Sequence, residues 1–298
     1  MGGGSSVIPW SVPSLCAAAT RTLLIATYAT ALGLSACAPS LSTFQPAHVA
    51  PKGHVAASVG IEGGASVGAF TDLIDRGKEL ASRAQSGEPL TSADKWRIFD
   101  AGVGLLLATP SFGPHVAVAY TPLERLEIGL RYAGAAYRLG GRYQLLDHVT
   151  GPLDLTVGLG VSRFTYEFPL SDQIPVLKLD DFSRWQVDVP LLVGTSRDFF
   201  RVWAGPKFLA TSFQTQLTLT IPTETDRTVA RFDGTAFFVG GQAGAAVGYR
   251  RLFVAFELTM VEAIGTAHLT SPGLDPPTHD SNISAFTIFP SVGLMGEI

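Results

Sequence analysis

Residues 64–68 read Gly-Ala-Ser-Val-Gly, a G-x-S-x-G match lying after the strand-like run "HVAASVGI" and before a helical one. That is the setting in which a serine is held on a sharp turn as a nucleophile. His115 is the base that a Ser66 acting in acyl transfer would use, although no spacing selects the pair. Glycine makes up 32 of 298 residues, so a serine flanked in this way arises by chance on the order of once per ninety serines. An α/β hydrolase also needs strand–helix units after the elbow, and nothing beyond Phe99 reads as helical. Ser66 is therefore expected to be a strand residue. His268, Asp275, His279 and Asp280 lie in or beside one loop and are of types that hold cations, but Pro272, Pro276 and Pro277 mark the stretch as solvated and turn-rich. No G-x-G-x-x-G, P-loop or EF-hand motif is present, and no cofactor is implied.

Cys37 carries a different chemistry. The apolar, uncharged stretch from Thr22 to Gly33 follows a single Arg21 and is too short for a membrane helix, which needs about 20 apolar residues. Leu34-Ser35-Ala36-Cys37 resembles the lipobox of bacterial lipoprotein precursors, in which cleavage precedes the cysteine and its thiol carries a diacylglycerol thioether. The resemblance implies a signal peptide over 1–36 and lipidation at Cys37, and Ala38 after the cysteine implies outer-membrane sorting. Cys16 lies in the segment to be removed, so neither a disulfide framework nor a cysteine zinc site is expected. "CAPSLSTFQPAHVAPKG" is Pro- and Ser-rich and reads as a tether over 37–52.

Charged residues are only 15% of the chain and the net charge is -4, which gives no electrostatic basis for binding nucleic acid. The chain is too apolar for disorder and poor in helix formers. What must position any chemistry is a set of strands. "LEIGLRYA" alternates Leu126, Ile128, Leu130 and Tyr132 against Glu127, Gly129 and Arg131. "YRLGGRYQLL", "LDLTVGLGVS" and "WQVDVPLLV" repeat the period of two. Strands are expected at 53–69, 103–121, 125–135, 137–147, 152–168, 183–196, 199–221, 229–249, 251–269 and 284–297. Pro110 and Pro114 could split the second strand and Gly63-Gly64 the first, and both splits together would raise the count from ten to twelve.

Connections alternate between tight turns ("YTPLER", "DHVTGP", "TSRD", "GYRR") and mostly longer polar loops. Short turns at one rim and long loops at the other resemble the Gram-negative outer-membrane β-barrel family. The resemblance implies an all-β, antiparallel, up-and-down transmembrane barrel over 53–298 with its turns in the periplasm. Ile298 departs from the aromatic end usual in that family.

In a barrel the inward charges are Glu127, Arg131, Arg138, Arg142, Asp154, Asp188, Arg201, Lys207 and Glu257. Five cations against four anions favour a paired network filling the lumen over a charge-selective constriction. The face opposite the apolar one is mostly Gly, Ala, Ser and Thr, which suits a narrow lumen. Tyr120, Tyr132, Tyr137, Tyr143, Phe164, Tyr166, Trp185, Phe199, Phe200 and Tyr249 fall near strand ends, where interfacial girdles sit. The competing architecture is a lipid-tethered soluble β-barrel that binds a small apolar ligand and turns its apolar face inward.

Residues 71–99 break the pattern with ten charged side chains and apolar Leu73, Ile74, Leu80, Ala81 and Ala84 at helical spacing. Thr91 with Asp94 reads as a capping box opening a second short helix that ends in Trp96, Ile98 and Phe99. This loop is expected to decorate the outer rim and is the place for an envelope protein partner. The sequence thus reads as a lipid-anchored outer-membrane barrel that is not an enzyme, serving as a structural, partner-binding or small-solute component. A barrel-embedded lipid acyl hydrolase is the alternative.

Overall fold

A computed structural model describes residues 40–298 other than 68, 109–110, 135, 165–173, 223 and 225. The expected signal peptide, Cys37 and Tyr166 lie outside the described residues. Ten antiparallel strands form one sheet in sequence order, and β1 (Val55–Val67) pairs with β10 (Thr278–Glu297) to close it. Between them run β2 (Ser111–Leu123), β3 (Leu126–Ala133), β4 (Ala136–Leu146), β5 (Asp154–Phe164), β6 (Leu177–Ser196), β7 (Phe200–Leu219), β8 (Thr228–Tyr249) and β9 (Leu252–Thr270). Helices α1 (Ala69–Gln85) and α2 (Ser92–Ala108) fill the β1–β2 connection.

Both ends of the barrel chain meet at one rim, where Val55 and Ile298 exchange backbone hydrogen bonds of 2.8 Å. The tight connections β2–β3, β4–β5, β6–β7 and β8–β9 share this turn rim, and Arg125 and Arg250 adopt the left-handed backbone that two of them require. The β1–β2 connection, which carries the helices, leaves from the opposite, loop rim, where β9 and β10 are also joined.

The wall is uneven. β1 to β5 span 8 to 13 residues, whereas β6 to β10 span 19 to 22. Along the long strands the polarity inverts part-way up. In β9 the outward Val254, Phe256 and Met260 give way to Glu262, Thr266 and His268, while the inward side passes from Glu257 and Thr259 to Val261, Ala263 and Leu269. The turn-side half is apolar outside and polar inside; the overhang is polar outside and apolar inside. Exposed Val59, Val118, Leu130, Leu139, Leu159, Val187, Phe208, Val239 and Leu294 carry the apolar band round the barrel, an outer surface that a water-filled surrounding would not sustain. The soluble barrel, which needs its apolar face inward, is thereby displaced. Tyr120, Tyr132, Tyr137, Tyr143, Trp185, Phe199 and Tyr249 stand exposed on this band. Phe164 instead points inward, buried beneath the Arg184 guanidinium at 4.9 Å.

The second strand begins at Ser111 rather than 103, because "AGVGLLLA" continues α2 to Ala108. An unalternating apolar run fits a buried helix as well as a buried strand. No split occurs at Pro114, which pairs with Ile61, or at Gly63-Gly64, which pair with Phe112 and Ser111, so the strand number is ten. α2 opens as the capping box requires, with the Asp94 amide donating to Thr91 Oγ1 (3.2 Å) and the Thr91 amide to Asp94 Oδ2 (3.2 Å). It is a plug rather than a rim decoration. Ile98, Phe99, Ala101, Val103, Leu105 and Leu107 are at most 2% exposed and pack on Phe213, Phe232, Phe238 and Leu269 inside the overhang. α1 lies over it with Ile74, Leu80, Ala81 and Ala84 buried, and Gly77 lets Ala101 approach where the helices cross.

Candidate functional site

The turn-side half of the lumen is lined by charges projecting from alternate positions of strands whose other face meets the apolar band. Arg142 forks onto Glu127 (2.7 and 2.9 Å) and Arg138 onto Asp188 (2.7 and 2.8 Å). Lys207 stands 3.9 Å from the same Asp188. Arg131 pairs with Glu62, and Arg201 pairs with Glu297 while lying 4.1 Å over the Phe253 ring. Asp154 accepts from Gln144 Nε2 (2.8 Å) and from the His148 amide (2.9 Å). Forked, nearly dry pairs of this kind offset the desolvation of both partners. All nine inward charges read from the sequence face the lumen, eight of them buried and Arg138 partly so.

Backbone also occupies this space. Residues 40–50, expected to belong to a solvated tether, run inside the barrel with Leu41, Thr43, Phe44, Ala47 and Val49 at most 3% exposed. The correction has a physical cause: Gly194 lacks the Cβ that would crowd Ala47 (3.1 Å), and the small inward Ala119 and Gly129 leave space beside the segment. The segment is bound by the wall's polar groups. Glu257 Oε1 accepts the Ser42 hydroxyl (2.6 Å) and the amides of Thr43 and Phe44 (3.0 Å each), while its Oε2 accepts Trp203 Nε1 (2.9 Å). Gly244 lacks the Cβ that would collide with that indole. Thr43 donates to Gln242 Oε1 (3.2 Å), the Val49 amide donates to Gln144 Oε1 (3.1 Å), and Arg142 also donates to the Pro46 carbonyl.

The two fillings meet near the middle. Arg184, 1% exposed, donates to the Leu106 carbonyl at the end of α2 (2.8 Å) and to Thr211 Oγ1 (3.0 Å). A guanidinium is well matched to the negative end of a helix. One inward position further along β6, Gln186 Nε2 lies 3.5 Å from the Ser40 carbonyl. Glu62, Arg184 and Glu297 were missed in the sequence. The alternation around Ile61 and Trp185 assigns the first two to the inner face.

The candidate chemistry is dispersed. Ser66 sits on β1 facing inward with Oγ 3.1 Å from Thr287 Oγ1. His115 pairs with Gly60, six residues along that strand from Ser66, and is fully buried against the Phe44 ring (4.6 Å), so no Ser66–His115 couple forms. His268 and Asp280 pair at 2.7 Å on the outer wall, in a groove of about 500 Å³ that Asp233 and Gln214 also line. His279 joins Asp100 (3.0 Å) and stacks on Trp96 (5.3 Å), which splits the four-residue cation cluster suggested by the sequence. A set suited to a metal lies elsewhere among the described residues: His48, His148 and Asp154.

No protein-family model and no curated protein matches the chain. Solved structures of outer-membrane β-barrels do. The outer membrane protease OmpT from Escherichia coli is 11% identical with a TM-score of 0.40, over 87% of this chain and 100% of that one. Ail, the attachment invasion locus protein of Yersinia pestis, is 8% identical with a TM-score of 0.26, over 82% and 99%. The CymD monoaromatic hydrocarbon channel is 10% identical with a TM-score of 0.23, over 91% and 96%. The expectation that the chain is not an enzyme, drawn from the chance frequency of the Ser66 motif and the lack of strand–helix units after it, is contradicted by a protease among these barrels: the fold does not exclude catalysis. The likeness extends to the fold alone: the chain is a closed, ten-stranded, up-and-down β-barrel of the outer-membrane type, carrying two helices.

Proposed function

We propose that the protein is a lipid-anchored barrel of the Gram-negative outer membrane that is closed to solutes by its own chain and works as a binding component at the cell surface. The supporting observation is the filling of the lumen from rim to rim, by residues 40–50 and paired charges below and by α2 above. The apolar band sets the membrane level, the turn rim faces the periplasm and the overhang stands outside. There α1 offers Asp72, Asp75, Arg76, Lys78 and Glu79 on its exposed side, a mixed-sign face for an envelope protein partner.

Lipidation at Cys37 rests on Leu34-Ser35-Ala36-Cys37.

Planar-bilayer recording of the purified full chain tests closure. Electrically silent insertions, verified by the heat-modifiable mobility of a folded barrel, are expected. Stable single-channel steps would make it a small-solute pore and end this reading.

A further inference from the structure

We propose that His48, His148 and Asp154 form a site for one divalent transition-metal ion, of zinc-like preference, which pins the luminal segment to the barrel wall at the turn rim. One ligand atom from each lies within 4.8 Å of the others, although His48 belongs to the luminal segment and the other two lie in the β4–β5 turn and at the first residue of β5. The imidazoles approach edge to face at 5.1 Å and 71°.

Three features distinguish the trio from an ordinary histidine–aspartate contact. His48 Nδ1 is shielded from water and has no hydrogen-bond partner among the described residues. A buried nitrogen lone pair left that way is costly, and a metal ion satisfies it. Asp154 is fully buried, with Gln144 Nε2 and the His148 amide holding its Oδ1, the kind of outer support that orients a ligating carboxylate. His148 Nδ1 lies 2.8 Å from Asp154 Oδ1 and 3.1 Å from Oδ2. Ligands arranged tetrahedrally at about 2.0–2.1 Å stand roughly 3.3 Å apart, so this pair needs to widen by only a few tenths of an ångström.

Two imidazoles and one carboxylate favour zinc, copper or nickel over magnesium or calcium, which take oxygen ligands. Three protein ligands leave a fourth position for water. Because the donors come from chain segments about 100 residues apart, binding would link the luminal segment to the wall, a role separate from closure of the pore.

Isothermal titration of the full chain, folded in detergent, with zinc chloride is the test. One zinc per chain is expected, with magnesium giving no heat, and His48→Ala and His148→Gln should each weaken binding at least about tenfold. His48 lies outside the strands, and heat-modifiable mobility shows whether each variant is folded. In a Cys16→Ala/Cys37→Ala background, zinc should also slow maleimide reaction of an Ala47→Cys side chain, and should not do so once His48 is alanine. Absence of zinc binding by the wild type, or equal binding by both folded variants, would overturn the site even if the lumen proves closed.

Discussion

Glu257 Oε1, on the inner wall of β9, accepts the backbone amide of Phe44 at 3.0 Å, so a buried carboxylate holds main chain more than 200 positions away in sequence. Ser42, Thr43 and Trp203 donate to the same carboxylate. Each donor stranded by its loss costs about 1–3 kcal/mol. Glu257→Ala should therefore loosen the segment: a cysteine at Ala47, 1% exposed, is expected to react with maleimide at least about tenfold faster in the variant. Unchanged protection would show that the carboxylate does not hold the luminal segment.

Arg142 is expected to matter to stability through the partner it would strand. Glu127 is 2% exposed, and leaving it charged and unpaired costs about 3–5 kcal/mol. Arg142→Ala should lower the urea midpoint of the folded band by that equivalent, Arg142→Lys should fall between because it loses the fork, and Arg142→Ala/Glu127→Ala should recover most of the loss. A single variant as stable as wild type would remove the network from the account.

At Gly77 two effects oppose each other. Alanine is about 1 kcal/mol better than glycine within a helix, but its Cβ would collide with that of Ala101 on α2, a methyl with no rotamer to yield. Overpacking costs about 1–3 kcal/mol, so Gly77→Ala should destabilise the helical pair and raise hydrogen exchange in α1. Adding Ala101→Gly should restore protection; failure to do so would mean that the crossing is not the tight point.

The cap at Thr91 gives a pH signature. The Thr91 hydroxyl, donating to Asp94 Oδ2 at 2.7 Å, holds the Asp94 carboxyl below the usual aspartate range. A carboxyl with a depressed folded value contributes stability above its unfolded value, near pH 4, and loses it as pH falls through the folded one. Thr91→Ala should cost about 1 kcal/mol at neutral pH, read from thermal melts followed at Trp96, and the gap should narrow in acid. A gap independent of pH would assign the cap to the hydroxyl–amide bond alone.

The barrel was legible because strict alternation marks a wall with unlike faces, and turn residues mark where it reverses; β8, β9 and β10 fall within a few residues of expectation, apart from the early start of β10. What lay inside was less legible for a single reason. A segment enclosed by a barrel needs no amphipathic pattern of its own, since every side is covered. "LSTFQPAHVA" therefore looked like linker, and "VGLLLA" looked like strand. The small inward residues did carry the information, but narrowness and room for a second chain segment leave the same mark. His48 and His148 were invisible as a pair because the luminal segment, not the strand register, brings them together.

Occupancy of the lumen by residues 40–50 is the claim on which the rest depends, and a thiol cross-link tests it most directly. Thr43 Oγ1 meets the tip of the Gln242 side chain at 3.2 Å, so Thr43→Cys/Gln242→Cys in a Cys16→Ala/Cys37→Ala background should be joined by a short bifunctional thiol cross-linker that spans the length of the lost amide in the folded, unheated form. A folded barrel in which position 43 stays uncross-linked and reacts freely with a water-soluble maleimide would contradict it.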